Sequence, residues 1–135
     1  MRTAVRGIGA LLLAAAAASC GGVTTPSSGS ADDFSGTLDP RGQATKPFSV
    51  SKTGEISLTI QSLTPRPVVG FLSMAIGTQS GTTCAPIIGY VVNQAAIGQV
   101  YSFLQIVKGS YCTIVADSSG ILTASTAFVV RVNHP

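Results

Sequence analysis

The stretch Lys108–Gly120, KGSYCTIVADSSG, constrains the fold more than any other part of the chain. Tyr111, Thr113 and Val115 alternate with Cys112, Ile114 and Ala116, and this period of two is what a strand packed on both faces requires. Gly109 opens the strand, and Asp117-Ser118-Ser119-Gly120 closes it with turn-forming residues. Cys112 sits mid-strand and needs a partner, and Cys84 is the sensible one. A bridge between them closes a loop of about 29 residues, for which chain entropy gives about 3.6 kcal/mol. Zinc is the rival use of two thiols, but there is no second thiol pair and the single His stands at the far end. The stretch is therefore core and staple together, and no catalytic group stands out on it.

The third cysteine belongs to a different argument. Met1–Gly7 carries Arg2 and Arg6, Ile8–Ala18 is apolar, and Ser19-Cys20-Gly21 follows. A basic start, a short apolar core and small residues before a cut describe a secretory signal peptide over residues 1–19. The apolar run falls short of the roughly 20 residues a spanning helix needs. Ala17-Ala18-Ser19-Cys20 resembles a bacterial lipobox, with Ala17 where Leu or Val is usual, and the resemblance implies that Cys20 becomes an acylated N-terminus. Acylation would also remove the odd thiol from an oxidising compartment and leave Cys84 and Cys112 as a pair. Residues 20–31 then read as the acylated cysteine and a linker. Gly21–Ala31, rich in Gly, Ser, Thr and Pro, has a coil-like reach of about 18 Å. No Asp follows Cys20, which favours the outer membrane if the cell has one.

Composition agrees with export. Charged residues make up only 10% of the chain, against roughly 25% in ordinary soluble domains. Ser, Thr and Gly take their place, as on secreted β proteins, and disorder would need the opposite balance. The formal charge of +3 loses Arg2 and Arg6 with the leader. What remains is nearly neutral and has no basic stripe for phosphates, so nucleic acid is not an expected partner.

From residue 32 to 135 the pattern is all strand. Phe34, Gly36 and Leu38 alternate, and Asp39-Pro40-Arg41-Gly42 makes a turn. Phe48 and Val50 share a face, and Lys52-Thr53-Gly54 turns the chain back. Glu55–Leu63 is the cleanest strand, with Ile56, Leu58 and Ile60 inward and Ser57, Thr59 and Gln61 toward water. Val68–Ile76 reads as a more buried strand, Gly77–Thr83 as a loop, and Ala85–Gln99 as a long, partly buried loop punctuated by Pro86, Gly89, Asn93 and Gly98. Val100–Val107 and Ile121–Val132 complete about seven strands. The expected fold class is all-β, an antiparallel β-sandwich.

Phe34-Ser35-Gly36-Thr37-Leu38, Phe48-Ser49-Val50, Gly54-Glu55-Ile56, Gly109-Ser110-Tyr111-Cys112 through Asp117, and Phe128-Val129-Val130-Arg131-Val132 together resemble the bacterial pre-peptidase C-terminal domain over residues 33–133. The resemblance implies a jelly-roll-like sandwich that serves as an accessory module without catalysis of its own. Some relatives bind calcium, collagen or polysaccharide. Such modules usually accompany a peptidase, and none is present in this sequence.

Candidate chemistry is sparse. Asp32, Asp33 and Asp39 at the domain entrance are the candidate calcium ligands. Tyr90, Tyr101 and Tyr111 are candidate sugar platforms. His134, one residue from the end, reads as frayed and poorly placed for proton transfer. There is no nucleophile elbow and no glycine-rich phosphate loop. The expectation is a non-enzymatic binding or structural module without a cofactor, anchored to the membrane by lipid, with an envelope protein or glycan as partner. Its expected contact surface is Gly77–Gln99. The alternatives are a calcium-stabilised carbohydrate- or protein-binding accessory module and an enzyme subunit with a cryptic site.

Overall fold

The computed structural model describes residues 29–68 and 70–135. The readings of the leader, of acylation at Cys20 and of most of the linker lie outside the described residues. Eight strands follow one another: β1 (Ser30–Leu38), β2 (Gln43–Val50), β3 (Gly54–Thr64), β4 (Leu72–Ser80), β5 (Thr83–Ala95), β6 (Val100–Ile106), β7 (Gly109–Ala116) and β8 (Thr126–His134). They form two four-stranded sheets in the orders β1-β8-β3-β6 and β2-β7-β4-β5, and all strand neighbours run antiparallel. The partners 1 and 8, 2 and 7, 3 and 6, 4 and 5 are those of one long hairpin folded at the β4–β5 turn. Rolled up, it places successive pairs alternately in the two sheets, which is the jelly roll.

The alternation seen in the sequence sets the core. Phe34 and Leu38 from β1, Ile56, Leu58 and Ile60 from β3, and Phe128, Val130 and Val132 from β8 all point between the sheets. From the facing sheet come Val50, Leu72, Met74, Ile76, Tyr111 and Val115. Phe34 meets Phe128 edge to face at 5.0 Å, the geometry aromatic pairs favour. Gly36 is part of this fit, because a Cβ there would stand 3.0 Å from the Phe128 ring.

Several expectations shift. Ala85–Gln99 is not a loop: most of it belongs to β5, the longest strand, and Gly77–Ser80 continues β4. β5 has no strict alternation, because it is a sheet edge with two register shifts against β4. The larger shift lies between Val91, opposite Ala75, and Pro86, opposite Gly77. The last strand starts at Thr126, not at Ile121, because the Asp117 carboxylate draws the Ile121 and Leu122 amides into a turn. Val68 does not enter a strand and is 98% exposed. Ser57 and Thr59 do not face water: they are buried on the outer side of β3, which is flanked by β8 and β6. Asn133 Nδ2 donates to Ser57 Oγ at 3.1 Å. The sandwich itself starts at Ser30, two residues before the expected boundary, because β8 is long enough to pair Ser30 with His134.

The staple is formed. Cys84 on β5 bonds Cys112 on β7, with Cα atoms 5.9 Å apart, although β4 lies between those strands in the sheet. The crossing point is Gly77, opposite both Cys112 and Pro86. A Cβ on Gly77 would stand 2.6 Å from the Ala85 carbonyl oxygen and 2.8 Å from Cys84 Sγ. Only glycine lets β5 and the disulfide pass over β4 there.

Candidate functional site: a charged side and an uncharged side

A jelly roll leaves two pairs of strand edges. Here β1 and β2 close one side, β6 and β5 the other. Their chemistry differs along their whole length.

The β1/β2 side is polar and internally bonded. Asp33 on β1 receives two parallel bonds at 2.8 Å from the Arg131 guanidinium on β8. Those bonds, with the charges of Arg131 and Lys46, hold the Asp33 carboxyl below its usual range. Asp32 accepts from His134 Nε2 at 3.1 Å. His134 is not frayed: it is 6% exposed, paired with Ser30, and stacked at 5.3 Å on Phe48 of β2. Lys46 lies over the Phe34 ring at 5.8 Å and reaches the Asp33 carbonyl. A void of about 10 Å³ opens among Asp32, Lys46, Phe48 and Thr113, the size of one water. Thr113 Oγ1, which lines it, has no protein partner, nor has His134 Nδ1.

At the far end of this side two turns interlock. Asp117, 2% exposed, accepts the backbone amides of Arg41 at 2.9 Å, Ile121 at 2.8 Å and Leu122 at 3.2 Å. Its own amide donates to Gly42 O at 3.0 Å. Burial pushes the Asp117 carboxyl up, but the amides of Arg41, Ile121, Leu122 and Gly120 outweigh it and hold the group below the usual carboxylate range. Arg41 takes a left-handed conformation (φ 58°) in the β1–β2 turn, and its guanidinium carbon would stand 3.1 Å from a Cβ on Gly120.

The candidate calcium ligands are not brought together. Asp32, Asp33 and Asp39 are engaged separately by His134, Arg131 and the Ser125 hydroxyl. Among the described residues no group of three or more His, Cys, Asp or Glu side chains could hold a metal ion. The tyrosine hydroxyls are engaged by backbone carbonyls: Tyr90 donates to Gln105 O, Tyr101 to Gln94 O, and Tyr111 to Val107 O. Tyr111 is core, and Tyr90 stacks on Phe103 at 5.1 Å.

The β5/β6 side is the opposite. From Pro67 to Val107 the sequence has no Asp, Glu, Lys or Arg. That span includes β4, β5 and β6, and its apolar side chains reach the surface: Ile88 is 97% exposed, Leu104 93%, with Val100, Val107 and Val91 about half exposed. Ile88 stands in the bulged segment of β5, beside Gly89 at φ 90°. Bulges re-aim side chains, and Gly supplies the backbone conformation. Soluble proteins usually guard edge strands with charge, proline or short length. β5 carries one proline, Pro86, and no charge over its thirteen residues. The charge-free run was present in the sequence and marks this side better than the Gly77–Gln99 loop reading did. A separate groove of about 210 Å³ lies between Pro65–Val68 and Ile121–Thr126.

No protein-family model matches the sequence, and no curated protein matches it.

Proposed function

We propose that this chain is a non-enzymatic, extracytoplasmic binding module, anchored to the membrane by acylation of Cys20, that contacts an envelope partner along β5 and β6. The observation that carries the reading is the uncharged edge: exposed Ile88 and Leu104 in a run with no charged residue from Pro67 to Val107. Large apolar side chains exposed on edge strands that carry no charge are the feature a binding surface would use. The disulfide supports an oxidising compartment, and the lipobox-like Ala17-Ala18-Ser19-Cys20 supports the anchor. The resemblance to pre-peptidase C-terminal domains supports an accessory role over a catalytic one.

Two measurements test it. Intact mass of the protein from untreated and globomycin-treated cells should show a diacylglyceryl-sized increment at Cys20; an unmodified Cys20 in the mature protein ends the anchoring claim. A photo-crosslinking residue at Ile88 or Leu104 in intact cells should give a discrete adduct that the same residue at Lys46 does not. Equal adducts from both sides would remove the uncharged edge as the contact surface.

A further inference from the structure

We propose that acid severs the Asp39–Pro40 peptide bond through the Asp39 side chain, and that the severed module remains one particle held by the β1–β8 ladder. Neither the anchor nor the contact surface proposed above is needed for it.

Asp39-Pro40 is the single Asp-Pro pair in the sequence, and it lies between β1 and β2 with both residues exposed to water. An aspartate carboxylate can attack its own peptide carbonyl by closing a five-membered ring, a reaction favoured by proximity. Proline in the next position makes the departing nitrogen a tertiary amide without an N–H, more readily protonated than an ordinary peptide nitrogen. One carboxylate oxygen of Asp39 accepts from the Ser125 hydroxyl, which leaves the other for attack. The Gly42 amide donates to Asp39 O at 2.8 Å, so a donor already stands where negative charge develops on that oxygen. The charged groups at this turn are Arg41, which belongs to it, and Asp117, which accepts the Arg41 amide.

The step needs only water and a proton from solvent. A bond forms between the Asp39 carboxylate oxygen and the Asp39 carbonyl carbon while the bond to the Pro40 nitrogen breaks. The proton goes to that nitrogen, which becomes a new N-terminus. Water then opens the cyclic anhydride and restores both carboxyl groups of Asp39, so the products together exceed the parent by one water.

The fold supplies retention. The cut separates β1 from β2, which lie in different sheets. β1 pairs with β8 over its whole length, from Ser30 opposite His134 to Leu38 opposite Thr126. Arg131 holds Asp33 with two bonds, and Phe34 packs on Phe128. Cys84 and Cys112 both lie beyond the cut, so the disulfide does not join the pieces. In a chain acylated at Cys20, the lipid would then hold the module through strand pairing alone.

The test keeps the full chain, disulfide intact, at about pH 4, where aspartate carboxyls titrate, and follows its mass. Under denaturing conditions the expected masses are those of a piece ending at Asp39 and a piece starting at Pro40. Returned to neutral pH under native conditions, the same sample should run as one species carrying both pieces. Asp39→Glu, which keeps a carboxylate but not the five-membered ring, and Pro40→Ala should each slow the cut at least about tenfold. Each variant's melting curve confirms that it is folded. A folded chain that stays whole overturns the proposal, and cutting of the same chain in urea would then show that the fold protects the bond. A cut indifferent to both substitutions overturns the role of the Asp39 side chain. Pieces that separate under native conditions overturn retention by β1.

Discussion

The two open sides of this sandwich occupy equivalent places in the same topology and are built to opposite specifications. On the β1/β2 side each carboxylate has a partner of its own, and Pro47 and Lys46 sit on the outermost strand. On the β5/β6 side a longer strand runs without a charge, held by a disulfide and by packing. Topology does not require this difference, since both sides face the same problem of unpaired backbone groups. It teaches that the β1/β2 edges carry charge and proline as guards against pairing, whereas the β5/β6 edges carry no charge.

Four experiments can break or sharpen that contrast. The largest effect is expected from Phe128→Ala, which removes the aromatic anchor of β1 and the ring that Gly36 accommodates. A loss of about 3–5 kcal/mol is expected by chemical denaturation, with hydrogen exchange rising first in β1. If β5 loosens first, the charged side is not an independent unit.

Next is the staple. Replacing Cys84 and Cys112 by Ala should cost about 3–4 kcal/mol, with exchange rising in β5. Gly77→Ala should loosen the same strand with both sulfurs in place, by about 1–3 kcal/mol, because the new methyl meets the Ala85 backbone. A Gly77→Ala protein as stable as the parent would show that β5 does not cross β4 so tightly.

Third, Asp117→Ala should cost about 2 kcal/mol by leaving buried amides of Arg41, Ile121 and Leu122 without their acceptor. The sign with pH follows from the depressed folded value. The contribution is complete above the unfolded carboxylate pKa of about 3.9 and is lost as pH falls through the lower folded pKa. Acid melts of parent and variant should therefore converge as pH falls through that depressed folded pKa. Parallel curves would remove Asp117 from that role.

The smallest effect on stability is expected from Ile88→Lys, within about 0.5 kcal/mol because the side chain is nearly fully exposed. Its consequence should appear in association instead. A marked loss of stability would mean that Ile88 is packed and that the uncharged side is not a free surface.

Much of the fold was legible because period two is a strong signal where one face is core. Ile56, Leu58 and Ile60, and Phe128, Val130 and Val132, announced β3 and β8, and Cys84 with Cys112 announced the bond between them. β5 was not legible, because an apolar edge strand with a bulge has neither a polar face nor regular spacing. Pro86 and Gly89, which read as loop punctuation, are features of that bulged strand. His134 misled for a related reason: proximity to the end of the sequence suggested fraying, whereas pairing with Ser30 and stacking on Phe48 bury it. The uncharged side needed no structure to be noticed, only attention to where charges stop. That Asp32, Asp33 and Asp39 go to three different partners could not be read from their spacing, since it depends on β8 running beside β1.

The pairing of Ser30 with His134 has a further consequence. Entry and exit of the folded unit lie side by side, so the sandwich is close to a closed ring of chain. A short peptide joining those ends, with new termini opened at the exposed Gly81-Thr82 turn, should yield a circular permutant that assembles the same two sheets. The module can by the same geometry be spliced into a surface loop of another protein without forcing that loop apart.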